Sequence, residues 1–325
     1  MIPFTIIGKL VSLHNGIRVI NEKHHAEYHR MPTISFVYPS MVQPDGTFRG
    51  GLLTRWEEAS LIGCQYVEIP ANFIKNAHEQ RATGIGVCQM LTEEAIGLLY
   101  TASDNVPGDL HYILHTEPSF SHPDANGIKQ PAADLRWHDQ KWVSQFSAML
   151  IAISECLGKP ADIIEIHPGL NRSATMKDIV SSMESIQGTY NDHFGHPSPT
   201  MVLENRNGSI VETGRQLREF WMAMEDYSED VGRSCGIVLD LSVLFNTARR
   251  RGESYPGYLD NVPIDGIKGI HVHTLPKAPS SSDPVPWDLA FAKVKQIKHD
   301  FFINPEIHHK NKVGQTIAFC KERLH

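Results

Sequence analysis

The chain has 325 residues, of which 41% are hydrophobic and 21% charged, a composition typical of a soluble globular protein. Its net charge of −7 argues against a general nucleic-acid binder, because such proteins need a positive surface to displace phosphate counterions. No apolar stretch reaches the roughly 20 residues of a membrane span, and the five cysteines are never paired as C-x-x-C, which fits reduced thiols. We therefore expect a cytoplasmic protein with no membrane partner, and the sequence leaves its oligomeric state open.

Residues 1–30 are predicted to form an extension that precedes the main domain. Two apolar runs flank Asn15 and Gly16, and an Asn-Gly pair between such runs is a strong signal for a β-hairpin. The sequence thus predicts an N-terminal hairpin over residues 1–30 and a second, larger domain over residues 31–325.

In the larger domain, eight short apolar runs rich in β-branched residues each predict a buried strand. The runs cover residues 33–38, 64–68, 110–115, 162–167, 201–204, 237–240, 267–273 and 301–306. Segments with helical spacing of apolar residues separate them, most clearly around Trp142 and Leu217. Eight alternations of strand and helix predict an α/β fold of the (β/α)8 TIM barrel type, in which the carboxyl ends of the strands converge on one pocket.

Six consecutive predicted strands, from the third to the eighth, end on or contain a residue that can bind a metal. These residues are His115, His167, Glu204, Asp240, His271 and Glu306. A mixed set of imidazoles and carboxylates favours zinc, manganese or iron over calcium, whose sites are built from oxygen. Six ligands exceed what one tetrahedral ion requires, and with one bridging carboxylate they can hold two ions about 3.5 to 4 Å apart. The series therefore predicts a site for one or two divalent ions, with zinc or manganese favoured.

Five further polar residues are candidates for contacts with the substrate or with the ligands. They are Glu68, Glu165, Arg206, His273 and Lys277. Glu165 and His273 lie two residues from His167 and His271, so strand alternation places each on the same barrel face as its neighbour. Any one of these residues, taken alone, could equally be a hydrogen-bonded core residue without a function. The ordered series, rather than any single member, is what favours a functional site.

Short motifs at the strand ends resemble those of the xylose isomerase-like barrel superfamily. They are HPG after the fourth run, LEN at the fifth, LD at the sixth, HVH at the seventh and PEI at the eighth. Within that superfamily the sequence is most similar to the type IV apurinic endonucleases, the AP endonuclease family 2 group, over roughly residues 31–320. The resemblance implies one metal on His115, His167 and Glu204. It implies a second metal, bridged by Glu204, on Glu204, Asp240, His271 and Glu306.

Two departures from the endonuclease pattern concern a third zinc. In those enzymes a His three residues after the sixth-strand Asp and a downstream Asp-x-His motif hold that ion. Here the corresponding positions are Val243 and the segment from Asp283 to Val285, so the resemblance implies an incomplete third site. Asp283 stays a candidate for a substrate or ligand contact. With the negative net charge, these departures make nucleic acid a possible but disfavoured partner.

Three functions are compatible with this series. In the first, a dinuclear centre hydrolyses a phosphoester, and Arg206 or Lys277 neutralises the developing charge. In the second, which resembles the sugar isomerases and epimerases of the superfamily, one manganese, magnesium or zinc ion binds the substrate. Glu204 and Glu306 then exchange a proton with the sugar carbon. In the third, the barrel is a binding or regulatory protein without turnover.

His115 and His167 favour the hydrolase, because the isomerase leaves both as substrate contacts. The sequence thus predicts a metal-dependent enzyme, with Glu204 and Glu306 as catalytic residues and a small-molecule or phosphoester substrate.

Overall fold

The computed structural model describes residues 31–40, 51–71, 90–100, 106–116, 135–169, 174–195, 198–225, 235–274, 277–307 and 310–325. The hairpin predicted over residues 1–30 lies outside the described residues. None of the described helices combines the length and the apolar character that are needed to cross a bilayer.

Eight parallel strands, β1 to β8, close into one barrel in chain order, and β1 pairs with β8 to complete the ring. The strands are Ile34–Tyr38, Tyr66–Pro70, His111–His115, Ile163–Ile166, Thr200–Glu204, Cys235–Asp240, Ile267–His271 and Phe301–Asn304. The predicted (β/α)8 barrel is confirmed, and all eight predicted runs overlap a strand. His167, His273 and Glu306 lie just beyond the ends of β4, β7 and β8.

The described helices, α1 to α9, occur between the strands and after β8. They are Gly51–Leu61, Glu93–Leu99, Gln140–Leu157, Met176–Phe194, Gly214–Glu225, Leu241–Arg251, Tyr255–Asn261, Trp287–Val294 and Lys310–Leu324. Local sequence sets their ends: Asp139 caps the start of α3, and Thr175 with Asp178 forms a capping box at the start of α4. Helix α3 ends at Gly158, whose φ of 83° is readily adopted only by glycine.

The main core lies between the strands and the surrounding helices. Helix α3 shows how the sequence builds it, because Val143, Phe146, Leu150 and Ile153 recur at helical spacing and are fully buried. Burial of this apolar stripe holds α3 in the main core.

The interior of the barrel contains a second, smaller apolar cluster, called here the lower layer. Its members are Val37, Ile113, Ile163, Val202, Val238 and Phe302. A Cβ atom on Gly269 would lie 2.2 Å from the Phe302 ring, so the glycine leaves the space that this ring fills. The layer closes the barrel below the carboxyl ends of the strands, which makes the interior a packed core and not a channel.

Candidate metal centre

A polar set of side chains, called here the upper layer, lies directly above the lower layer at the carboxyl ends of the strands. Its members are Glu68, His115, Glu165, His167, Glu204, Asp240, His271, His273, Asn304 and Glu306, and all are at most 9% exposed. Because side chains alternate along a strand, residues two positions beyond the lower layer face the same interior. The barrel therefore gathers all six residues of the predicted ligand series into one buried region.

His115 is oriented by a carboxylate on the neighbouring strand. Its Nδ1 atom pairs with Glu68 Oε1, and the other oxygen of Glu68 accepts a hydrogen bond of 2.6 Å from the backbone N–H of Ser40. The buried Glu68 stays ionised, because His115 outweighs the effect of burial and lowers the pKa of this carboxyl to about 2. The Nε2 atom of His115 is thereby directed at Glu204 Oε2, 3.3 Å away. A carboxylate behind an imidazole is the usual way to orient a metal-binding histidine.

His167 is held in the same manner by a backbone carbonyl. Its Nδ1–H donates a hydrogen bond of 2.6 Å to the Thr116 carbonyl, which can only accept, so the proton is on Nδ1. Its Nε2 atom lies 2.8 Å from Glu204 Oε2 and 2.8 Å from Arg206 Nη1. Both histidines thus present Nε2 to one oxygen of Glu204.

His115, His167 and Glu204 form a first ligand group, whose donor atoms all lie within 4.8 Å of one another. Burial would raise the pKa of Glu204, but His167 and the nearby His271 outweigh it and hold the pKa well below the usual range. Burial likewise opposes protonation of His115, yet the carboxylates of Glu165 and Glu68 raise its pKa well above the usual value. The protons that these carboxylates favour on the imidazoles are the ones that a bound divalent ion would displace.

Asp240, His273 and Glu306 form a second ligand group within the same 4.8 Å limit. One oxygen of Asp240 caps helix α6 by accepting a bond of 2.8 Å from the Val243 N–H, which leaves the other oxygen 2.9 Å from His273 Nε2. Glu306 Oε2 lies 3.5 Å from the same nitrogen. Burial opposes protonation of His273, but Asp240 raises its pKa to about 9.

Glu165 and His271 lie between these groups, and with Glu204 they form a third set of possible ligands. Glu165 Oε1 is 3.1 Å from His271 Nε2, and both residues are fully buried. The structure therefore places His273 beside Asp240, whereas both His273 and His271 contact Glu306. His271 Nδ1 still contacts Glu306 Oε2 at 3.4 Å and Glu204 Oε2 at 3.8 Å.

The donor set fits a divalent metal ion. Several of its buried atoms have no hydrogen-bond partner among the described residues, an arrangement that is rare in proteins unless another group satisfies them. These atoms are His115 Nε2, both oxygens of Glu165, His271 Nδ1 and His273 Nδ1. Imidazole nitrogens and carboxylate oxygens together are ligands for zinc, manganese or iron. We conclude that the upper layer is chemically suited to hold divalent ions.

The remaining predicted residues lie around this centre in different ways. The guanidinium of Arg206 contacts His167, as described, whereas Lys277 is exposed and its backbone N–H donates to the Thr274 carbonyl. The carboxylate of Asp283 is engaged within its own loop, where it accepts bonds from the Ser280 N–H and the Trp287 indole.

Val285, one of the two valines that depart from the endonuclease pattern, has apolar surroundings. Val285 is 5% exposed and belongs to the main core, and no set of possible metal ligands among the described residues contains Asp283.

Two positioning residues escaped the sequence reasoning. The side chain of Asn205, fully buried, accepts a bond of 2.9 Å from the Asp240 N–H and donates one of 3.2 Å to the Asp240 carbonyl. The Trp137 indole donates a bond of 3.1 Å to the His167 carbonyl. The position of Asn205 directly after Glu204 is a signal that could have identified it, but nothing local marks Trp137.

Comparisons with known proteins support the fold. No protein-family model matches the chain, and no curated protein matches it in sequence. Among solved structures, an L-ribulose 3-epimerase aligns at a TM-score of 0.55 and 12% identity, over 91% of this chain and 95% of that one. A xylose isomerase domain containing protein from Salmonella typhimurium LT2 aligns at 0.51 and 10%, over 91% and 98%. An AP endonuclease of family 2 from Brucella melitensis aligns at 0.49 and 11%, over 90% and 99%.

These identities are too low to transfer an activity, but the architecture that they share with this chain is clear. The chain has the fold of the xylose isomerase-like TIM barrels. Proteins of this fold catalyse more than one type of reaction, so the reaction depends on the residues of the site and not on the fold.

Proposed function

We propose that this protein is a divalent-metal-dependent hydrolase that cleaves a phosphoester at the carboxyl end of its barrel. The observation that carries the proposal is the presence of two separate ligand groups, His115–His167–Glu204 and Asp240–His273–Glu306. Each group supplies three protein ligands, which is the number typical of a catalytic ion that keeps a position open. A pair of divalent ions supplies charge neutralisation for a phosphoester and lowers the pKa of water.

The first group favours the hydrolase over other reactions of this fold. His115 and His167 are at most 2% exposed, and their Nδ1 atoms are already occupied by Glu68 and by the Thr116 carbonyl. The Nε2 atoms of both histidines lie within 3.3 Å of Glu204 Oε2. Both histidines are therefore better placed to bind an ion than to contact a sugar substrate.

Three residues of the chain have roles that the geometry suggests. Arg206 is partly exposed and carries a permanent positive charge beside His167, where it can bind an oxygen of an anionic substrate. Glu306, at 9% exposure, is among the least buried members of the upper layer and can accept or return a proton at its carboxylate. Glu204 is enclosed by His115, His167 and His271, so its role is to connect the first ligand group to the set that contains His271.

A sugar epimerase that uses one ion is the second candidate. It is favoured by the closeness of Glu204 and Glu306, whose Oε2 atoms lie 3.8 and 3.4 Å from the same His271 Nδ1. Two carboxylates beside one ion can pass a proton to and from a sugar carbon. Asp240, His273 and Glu306 alone would then hold the ion.

Two assays on the same preparation separate these reactions. Protein reconstituted with zinc or manganese is incubated with bis(p-nitrophenyl) phosphate and with an oligonucleotide that contains one abasic site. A parallel sample with ketohexoses in deuterated water is examined for deuterium at C3. We expect phosphodiester hydrolysis, with the small ester preferred over the oligonucleotide because of the net charge of −7. Deuterium exchange without hydrolysis would replace the proposed function by the epimerase.

A further inference from the structure

Glu165 differs from the other carboxylates of the upper layer in its surroundings. Glu68 accepts a backbone N–H, Asp240 caps a helix, and Glu204 contacts His167 at 2.8 Å. Glu165 is 0% exposed, and neither of its oxygens has a hydrogen-bond partner among the described residues. The imidazoles of His115 and His271 lie 3.7 and 3.1 Å from its Oε1 atom without forming a hydrogen bond, and burying a carboxylate that lacks hydrogen bonds is costly.

The donors around Glu165 converge on a small volume next to the first ligand group. Its Oε1 atom lies 3.1 Å from His271 Nε2 and 3.7 Å from His115 Nε2, and Glu204 completes the set. Separations of about 3.3 Å are expected between ligands that surround one tetrahedral ion at about 2.0 to 2.1 Å. Asn304, fully buried, lies beside His271, and its carbonyl oxygen has no hydrogen-bond partner among the described residues.

We propose that Glu165, His271 and Glu204 hold a further divalent cation, fully buried between the two ligand groups of the proposed hydrolase site. A simple ion pair between Glu165 and a protonated His271 explains the arrangement less well. In such a pair the imidazole N–H would point at the carboxylate, but the 3.1 Å contact does not have the geometry of a hydrogen bond. The pair would also leave the second oxygen of Glu165 without a partner.

The role of this deep ion follows from its position. Glu165 and His271 are both 0% exposed, so a substrate cannot reach the ion, which makes it structural. Because Glu204 belongs both to this set and to the first ligand group, the ion would fix the position of Glu204. Two carboxylates and one imidazole suit manganese or zinc. The deep ion shares Glu204 with the proposed function, yet it does not require hydrolase activity.

The experiment counts metal ions in protein that is purified without chelators, reconstituted with manganese and desalted. We expect wild type to retain three ions per chain, and Glu165→Gln to retain one fewer. On dialysis against EDTA, the ion that Glu165→Gln lacks should be the last to leave the wild-type protein. Glu212→Gln is the matched control, because Glu212 is equally a buried glutamate but pairs with Arg250 and Arg251 away from the centre. This control should retain all three ions.

Two ions or fewer in fully reconstituted wild-type protein would overturn the deep site, and so would equal counts in Glu165→Gln and wild type. If Glu165→Gln does not fold, the wild-type count and the order of release decide alone. Three ions without phosphodiester hydrolysis would leave the deep site standing and remove the proposed function. Phosphodiester hydrolysis by protein that holds only two ions would support the proposed function and rule out the deep site.

Discussion

The lower and upper layers of the barrel interior come from the same strands, and most upper residues lie two or four positions beyond a lower one. Ile113 lies below His115 on β3, and Val202 lies below Glu204 on β5. The lower residues stabilise the fold by burial of apolar surface. The upper residues are buried as fully, but imidazoles and carboxylates at this depth oppose folding unless they are paired or bind ions. Burial alone therefore does not distinguish the residues that stabilise the fold from those that can bind an ion. The chemistry of the buried side chains does.

The strongest test of the upper layer is Glu204→Gln, which keeps the shape of the side chain and removes its charge. Because Glu204 belongs to two of the three ligand sets, we expect metal affinity to fall by more than about 100-fold and activity to be lost. Glu68→Gln is the comparison, since Glu68 orients His115 without joining a ligand set, and a loss of about 10- to 100-fold is expected there. Isothermal titration measures the metal affinity of both variants. Similar affinities would show that Glu204 is not shared between two ligand sets.

The matching test of the lower layer is Ile113→Ala. Ile113 is fully buried in the interior apolar cluster, so a cavity should lower the free energy of unfolding by about 2 to 5 kcal/mol. The ion count at saturation should not change, because no ligand is removed. Chemical denaturation and metal analysis of the same sample measure both quantities. Loss of an ion in this variant would mean that the two layers are not independent.

The barrel could be predicted from the sequence because each strand coincides with a local apolar run that is rich in β-branched residues. The sequence also singled out nine of the ten members of the upper layer, six as ligands and Glu68, Glu165 and His273 as further contacts, because alternation along a strand is fixed by backbone geometry. It did not predict how those members divide into groups. Whether His271 or His273 lies beside Asp240 depends on the end of β7 and on the cap that Asp240 makes to α6, which are tertiary features. The role of Trp137 depends on a contact across 30 residues of chain.

A smaller effect is expected from Gly269→Ala, which adds a methyl group to the lower layer. The new Cβ atom would meet the Phe302 ring at 2.2 Å, so the ring has to move, at a cost of about 1 to 3 kcal/mol. Thermal melting of the metal-free protein measures the loss. An unchanged melting temperature would indicate that the lower layer is loosely packed and does not stabilise the fold as a packed core would.

The smallest effect is a pH dependence that only the upper layer should show. In metal-free protein Asp240 raises the pKa of His273 from 6.5 to about 9, against the opposing effect of burial. A raised pKa means that protonated His273 contributes its full stability below pH 6.5, and that this contribution is lost as the pH rises through about 9. Metal ions compete with the same proton, so their affinity should increase over that range. Denaturation of metal-free protein from about pH 6 to pH 10 tests the sign, and His273→Gln should flatten the curve.

The central claim is that the upper layer holds separate ions in the two ligand groups of the hydrolase. His167→Ala tests it most directly, because His167 belongs to the first group alone. The decisive measurement is the metal content of this variant beside wild type, with His193→Ala as the control, since His193 is exposed and pairs with Glu155 outside the centre. The account predicts one ion fewer than wild type in His167→Ala, loss of phosphodiester hydrolysis, and no change in the control. An unchanged ion count in His167→Ala would contradict it.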